Sequence, residues 1–443
     1  MAFITGAGAL LAAPTPLRPT CVGRSSFAPS PVKPPARPAR KQRPLMREAP
    51  VPPPTAQADP PEPVVPTPAA AAAATAAASA DATIPHFSVA PSGDPPLSGR
   101  TPRTNIRIAI PSKGGMSAAT TSLLRDVGMD VQMLNPRQYV ASLRNAPGVE
   151  VWLQRPPDIV RKVRDGDVDL GFVGYDLVSE HGGGHGQVVI AHEDLGYGGC
   201  RLSIGVPMAW AHVSSVAELA AVVNAPGAAA LRVATKFPVR TREFFQAAGM
   251  ANYEVVKMDG ALEASTQMGT ADVIVDLVSS GVTLRENLLK EIDGGTLVTS
   301  AFQMVGNRAS LAAPGAPGDA LRGLCRELLE RIDAHLMGKE QCNVIANIRG
   351  SSMNDVARRL GAQTDLCGMD GPTINSVVPP RGTETGMYAI GLVVPKDSVY
   401  RAIKQLRSVG GSGVCVLPVT YVFEQESKRW NTLLQELGFG VVE

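Results

Sequence analysis

Proline divides this chain before any other pattern is considered, because 22 of its 38 prolines lie in residues 1–100. A proline inside a helix or a central strand removes a hydrogen bond and fixes the backbone, so this stretch cannot build a regular core. Up to Arg47 it also contains no acidic residue, while eight Lys and Arg side chains stand among Ser, Ala and Pro. That acid-free, basic composition reads as an organelle transit peptide, plastid rather than mitochondrial. From Glu48 to Arg103 the Pro clusters and the run Ala69–Ala74 present no amphipathic face and read as a disordered linker. Folded structure is expected from Thr104 onward.

The remaining charge is balanced. Residues 1–100 hold 9 of the 42 Lys and Arg and 5 of the 40 Asp and Glu, which leaves 33 basic against 35 acidic groups for the rest. No bulk field draws the folded part to nucleic acid, so any phosphate binding must be local. No apolar run reaches the roughly 18 residues of a membrane span. Six cysteines occur without a CxxC pair, as expected for reduced thiols and no structural disulfide.

Beyond Thr104, buried-strand patterns alternate with amphipathic helices. A strand over 106–110 leads through a Ser-Lys-Gly-Gly turn to a helix carrying Leu123, Leu124 and Val127. Helix 157–165 opens on Pro157, buries Ile159, Val160 and Val163 on one face, and stops at Gly166. A strand over 168–173 follows directly, which is the βαβ rhythm of a mostly parallel sheet. A second set runs through strand 202–206, helix 215–223, strand 231–235, helix 241–248, strand 272–278 and helix 284–291. Two α/β lobes with a cleft between them fit this length better than one oversized sheet. From 339 the order becomes strand, helix, strand, strand, helix, strand, the ferredoxin-like arrangement. The expected division is 104–196 plus 308–338 for the first lobe, 197–307 for the second, and 339–443 for a small terminal domain.

The segment Asp272-Val-Ile-Val-Asp276-Leu-Val-Ser279-Ser280-Gly281-Val282-Thr283-Leu-Arg-Glu286-Asn carries the most chemistry. A buried strand ends in a turn of small residues, and Thr283 with Glu286 predicts a capping box at a helix start. Backbone N–H groups of such a turn and the helix N-terminus can cradle a phosphate, and Ser279, Ser280 and Thr283 can add hydroxyl donors. Asp272 and Asp276 stand an even interval apart on one face of the strand. Two carboxylates behind a phosphate cradle suit the vicinal hydroxyls of a phosphorylated sugar. An ordinary strand-turn-helix with a solvated aspartate remains the plain alternative.

This segment resembles the phosphoribosyl-diphosphate signature of the ATP phosphoribosyltransferase family. Further stretches resemble that family in order: Ile108-Ala-Ile-Pro-Ser-Lys113-Gly114, Asn135-Pro-Arg137-Gln-Tyr139, Val149 through Arg155-Pro156, Asp169-Leu-Gly-Phe-Val-Gly174-Tyr-Asp176, and Asp259-Gly-Ala-Leu-Glu263-Ala. The resemblance implies two periplasmic-binding-protein-like α/β lobes and a terminal ferredoxin-like domain of the ACT/PII kind. It implies transfer of phosphoribosyl to N1 of ATP with release of diphosphate, in the plastid stroma. By the same resemblance, Asp272, Asp276, Lys113 and Arg155 are catalytic, and Ser279, Ser280, Gly281, Val282 and Thr283 hold phosphoribosyl diphosphate. Gly114, Arg137, Arg155, Asp176 and Glu263 would meet the nucleotide. Mg²⁺ is implied, held mainly through substrate oxygens. Gly371-Pro-Thr373-Ile and Ser412 to Pro418 resemble a regulatory domain that binds histidine, with Thr373 and Leu417 as its contacts. A homohexamer built from dimers follows from the same likeness, with no nucleic-acid or membrane partner. Two departures stand out: Gly115 and Pro157 occupy positions where the family often has an arginine and a lysine, and each removes a cation from an anion site.

Other patterns are weaker. His181 and His185 would share a zinc ion only on a helix, and the three glycines between them oppose one. Gly410-Gly411-Ser-Gly413 follows a helix, the wrong context for a nucleotide fingerprint. The rival functions are a two-lobed small-molecule sensor and a phosphoribosyltransferase with another acceptor.

Overall fold

The computed structural model describes residues 105–135, 137–183, 186–378 and 386–440. The leader and linker expected over residues 1–103, together with His185, lie outside them.

The first lobe opens with β1 (Ile106–Pro111), α1 (Gly114–Asp126), β2 (Val131–Gln132), β3 (Val140–Leu143) and β4 (Ala146–Gln154). It continues through α2 (Pro156–Arg164), β5 (Leu170–Gly174), α3 (Tyr175–His181) and β6 (Val188–His192). The parallel strands β4, β1 and β5 form its centre. Every residue of β5 is buried, as a parallel strand covered on both faces requires. The amphipathic pattern read in α2 buries Ile159, Val160 and Val163, and Pro156 and Pro157 occupy its first turn, where their missing N–H groups are harmless.

The second lobe contains β7 (Cys200–Pro207), α4 (Val216–Val223), β8 (Leu231–Thr235), α5 (Pro238–Ala247), β9 (Tyr253–Lys257) and α6 (Leu262–Gln267). It ends with β10 (Val273–Val278), α7 (Val282–Glu286) and β11 (Leu289–Ser300). Its sheet has the order β11-β7-β10-β8-β9, with β10, β8 and β9 parallel. The helix expected over 284–291 stops early. Leu288 takes a left-handed φ of 56°, which ends the helix, and the chain runs straight into the 12-residue strand β11. Leu289 and Ile292 are then buried by strand pairing with β7 rather than by a helical face.

The chain re-enters the first lobe at Ser300–Phe302, not after Asn307 as expected. β12 (Phe302–Asn307) inserts antiparallel between β5 and β6, completing the order β2-β3-β4-β1-β5-β12-β6. α8 (Arg308–Ala312) and the 24-residue α9 (Ala316–Lys339) follow, and α9 buries Leu321, Leu324, Cys325, Leu328 and Ile332 in the first lobe's core.

The terminal domain comprises β13 (Gln341–Arg349), α10 (Met353–Gly361), β14 (Thr373–Ser376), β15 (Met387–Pro395), α11 (Val399–Ser408) and β16 (Gly411–Pro418). Its antiparallel order β14-β15-β13-β16 is the ferredoxin-like one. Both helices cover one face, closing a core of Val344, Ile348, Val356, Leu360 and Leu406. The unit does not extend to the chain end as expected. After β16 the chain returns, and α12 (Lys428–Glu436) buries Trp430 and Leu433 in the first lobe's core. No helix among the described residues is long and apolar enough to cross a membrane.

Candidate active site

Three parallel strands of the first lobe end at one sheet edge, and a candidate residue follows each. Lys113 is the N-cap of α1 after β1, Arg155 the N-cap of α2 after β4, and Asp176 stands in the first turn of α3 after β5. Open α/β sheets bind ligands at this carboxyl edge. Lys113 and Gly114 are exposed there, as is Arg155. Neither cation forms an ion pair among the described residues. Arg155 at a helix N-terminus opposes the helix dipole, so its charge is uncompensated until an anion arrives. Arg137 reaches the same edge because β3 runs antiparallel to β4, and Leu153 N–H donates to the Tyr139 carbonyl at 2.8 Å.

Asp176 is 5% exposed and sits where the lobes join. The Ser300 hydroxyl donates to its Oδ1 at 2.8 Å, and the Asp176 N–H donates to the same hydroxyl at 3.0 Å. Burial pushes its carboxyl above the usual carboxylate range, against the opposing pull of Ser300. A second join is made by Glu180 of α3. Its buried carboxylate accepts the Val239 and Arg240 N–H groups at 2.9 and 3.0 Å, closing the first turn of α5 in the other lobe.

Across the cleft, β10 runs into the small-residue turn. Ser279, Ser280, Val282 and Thr283 are exposed and Gly281 is buried. The capping box is not formed: the N-cap is Gly281 at φ 71°, and Thr283 lies within α7 with its carbonyl accepting the Asn287 side-chain amide at 2.9 Å. A left-handed N-cap turns the following N–H groups outward without a side chain in the way, which suits an incoming phosphate. Arg201 on β7 fixes the turn from below. Its guanidinium donates to the Ser279 carbonyl at 3.1 Å and pairs with Glu291 at 2.7 and 2.5 Å. Those hydrogen bonds hold the Glu291 carboxyl below its ordinary value.

The two aspartates of the signature part company. Asp276 is half-buried beside the turn, and its Oδ1 accepts only the adjacent Leu277 N–H among the hydrogen bonds of described residues. Burial raises its carboxyl, with Glu263 on α6 adding to the rise. Asp272 stands at the opposite end of β10, about 13 Å away along the strand. Arg232 occupies it completely: the Arg232 N–H donates to Oδ2 at 2.8 Å and its guanidinium to Oδ1 at 2.7 Å. The expectation that both carboxylates meet one sugar is therefore not met: Asp276 stands beside the turn, with Glu263 as a neighbouring acid, and Asp272 does not. The four-residue interval that gives the shared face also sets the pair about 13 Å apart, too far for both to meet the hydroxyls of one ribose.

Thr373 and Leu417 also separate. Both face the sheet side that the helices leave open, but they stand on β14 and β16, the two edges of the sheet, three strand intervals or about 14 Å apart. Within one chain a single amino acid cannot touch both. Thr373 borders a groove of about 490 Å³ with Asn343, Asp370, Asn375 and Val422.

Arg201, Glu291, Ser300, Glu180 and Arg232 escaped the sequence reading, since each acts through a partner 40 or more residues away.

Two α/β lobes with uncompensated cations on one lip and a phosphate-shaped turn beside an acid on the other define a phosphate-binding cleft protein with a ferredoxin-like appendage. Residues 155–334 match the family described as HisG: ATP phosphoribosyltransferase, and 339–421 match HisG, C-terminal domain. ATP phosphoribosyltransferase 2, chloroplastic, of Arabidopsis thaliana is 44% identical over 340 residues, covering 76% of this chain and 81% of that protein. ATP phosphoribosyltransferase 1, chloroplastic, of the same plant is 42% identical, covering 79% and 86%. The ATP phosphoribosyltransferase of Gemmatimonas aurantiaca is 34% identical, covering 70% and 97%. The chain belongs to the ATP phosphoribosyltransferase family, in its long form with the C-terminal domain.

Proposed function

We propose that this enzyme joins ATP to phosphoribosyl diphosphate as the first step of histidine biosynthesis, in the chloroplast. N1 of adenine attacks the anomeric carbon, the bond from that carbon to the diphosphate oxygen breaks, and diphosphate leaves with the electron pair. The single observation that supports this best is the exposed small-residue turn Ser279–Thr283 with half-buried Asp276 just before it at the end of β10.

In this reading the turn takes the 5-phosphate, and Asp276 with Glu263 accepts hydrogen bonds from the ribose hydroxyls. Lys113, Gly114, Arg137 and Arg155 receive the nucleotide phosphates, and Asp176 closes the nucleotide side at the junction of the lobes. The transition state resembles an oxocarbenium ion, so no protein nucleophile is needed. What the chain supplies is placement of two polyanions and stabilisation of departing charge.

Among the described residues no three His, Cys, Asp or Glu side chains converge on a metal site. A hard cation is ordinarily carried on diphosphate oxygens and waters rather than caged by protein. Mg²⁺ bound in that way would neutralise charge on the leaving group.

Histidine as feedback inhibitor is assigned to the terminal domain, with the groove beside Thr373 as its seat, and the assembly is a homohexamer built from dimers. The test is direct. Incubation with ATP, phosphoribosyl diphosphate and Mg²⁺ should release diphosphate, and free nucleobases should not compete with ATP. Absence of diphosphate release would reduce the protein to a binding module, and competition by a nucleobase would change the acceptor.

A further inference from the structure

Lys236 follows the last residue of β8 at the second lobe's carboxyl edge, and nothing in the signature stretches draws attention to it. The parallel register pairs Thr235 of β8 with Val275 of β10. Continued one residue past the end of β8, that register sets Lys236 beside Asp276, roughly one strand spacing away. The preceding pairs confirm the sidedness: Ala234 and Ile274 share one core cluster, and Val233 and Val273 share the other. Lys236 consequently faces the side on which α6 carries Glu263.

Two further facts bear on its role. Lys236 acts electrostatically on Asp276 and favours its ionised form, yet the ammonium makes no ion pair within 4 Å and no hydrogen bond among the described residues. Arg201, Arg232 and Arg240 of this lobe are engaged by Glu291, Asp272 and Glu243, and of its unpaired cations Lys236 is the one that acts on Asp276. A half-buried ammonium beside a carboxylate, held apart from it at the mouth of a cleft, leaves a gap that a ligand with both hydroxyl and anionic groups can bridge.

We propose that Lys236 is a further substrate-binding residue, which takes the diphosphate of the sugar donor while Asp276 beside it accepts the ribose hydroxyls. The inference rests on the phosphoribosyl reading of the cleft. With the 5-phosphate at the turn after β10, the anomeric substituent at the other end of the sugar is assigned to the side of β8, because on the other neighbour, β7, the cation Arg201 is engaged by Glu291. Lysine suits this place because a compact ammonium can follow an oxygen whose charge grows as the bond breaks.

The test uses the full chain and separates the two ends of the donor. Lys236→Gln should raise KM for phosphoribosyl diphosphate about 10- to 100-fold, the usual effect of losing a charge-assisted hydrogen bond. KM for ATP and the affinity for ribose 5-phosphate, which lacks the diphosphate, should change by less than about threefold. Lys236→Arg should recover most of the loss, and this separates a charge role from a packing role if the Gln variant melts at a lower temperature. Unchanged donor KM in the Gln variant, or equal losses for ribose 5-phosphate and phosphoribosyl diphosphate, would overturn the inference while leaving the enzyme's activity standing. A wild-type protein that releases no diphosphate would overturn the phosphoribosyl reading and this inference together.

Discussion

Gly115 lies in the first turn of α1 beside Lys113, and no atom stands within 4 Å of where its Cβ would be. Unlike Gly114, whose φ is 80°, it has no left-handed backbone to protect. A side chain there meets open cleft, so the departure noted in the sequence removes a cation without any steric compensation. Gly115→Arg should lower KM for an anionic substrate about 2- to 5-fold, the yield of one partly solvated charge contact, without loss of melting temperature. A raised KM would show that the open space serves the substrate itself. The signature aspartates make a sharper contrast. Asp276→Asn should reduce kcat about 100-fold or more with folding free energy within about 1 kcal/mol of wild type, because its carboxylate has no side-chain partner to lose. Asp272→Asn should do the reverse, leaving kcat nearly unchanged and losing about 1 kcal/mol through weakened contacts to Arg232. The hydrogen bonds from Arg232 hold the Asp272 carboxyl below its ordinary range. A depressed folded value means that its contribution is present above the unfolded value, near pH 4, and disappears as pH falls through the folded one. Urea unfolding of wild type and variant should therefore differ at pH 7 and converge as pH falls from about 4 through the depressed folded value.

At the scale of elements, what the sequence revealed and what it hid follow one physical division. Strands such as β1 and β8, and helices such as α2, announce themselves because their periodicity is local. The lip residues Lys113 and Arg155 were equally legible, since a strand end followed by a helix start fixes the edge on which they stand. What escaped depends on distant partners. The helix expected over 284–291 gives way to β11 because pairing with β7, a partner distant in sequence, fixes Leu289 and the residues after it as strand. The terminal helix α12 was assigned to the wrong unit because an apolar stripe does not say which core it enters. Its Trp430 is 8% exposed against α9, and Arg429 joins Glu193 and the Asp333 carboxylate that also meets buried His192 at 3.1 Å. Trp430→Ala should cost about 3–4 kcal/mol and be read in the unfolding of the catalytic lobes, not of the terminal domain. If thermal unfolding followed by hydrogen exchange places the loss in β13–β16 instead, the helix belongs with the sheet after all.

At the scale of the whole molecule, the return of the chain changes how the terminal domain, the proposed seat of histidine, can be removed. Truncation after residue 339 would take α12 with it and strip Trp430 and Leu433 from the first lobe's core, so a truncated enzyme could lose histidine sensitivity simply by unfolding. The crossing point offers a cleaner cut. Gly338 at the end of α9 packs so closely on the returning chain that an added Cβ would stand 2.7 Å from the Thr420 carbonyl, and Val422 N–H donates to the Ala334 carbonyl at 2.9 Å. Departure and return are therefore neighbours, and residues 341–418 can be replaced by a short glycine linker without displacing α9 or α12. The excised protein should keep a cooperative melt and release diphosphate from its substrates, since every cleft residue lies outside the removed segment. Inhibition by histidine should vanish, because a ligand shifts a conformational equilibrium only through its differential affinity for the two states, and its seat would be gone. Histidine inhibition that survives excision, in a protein whose melt is intact, would move the inhibitor site onto the lobes themselves.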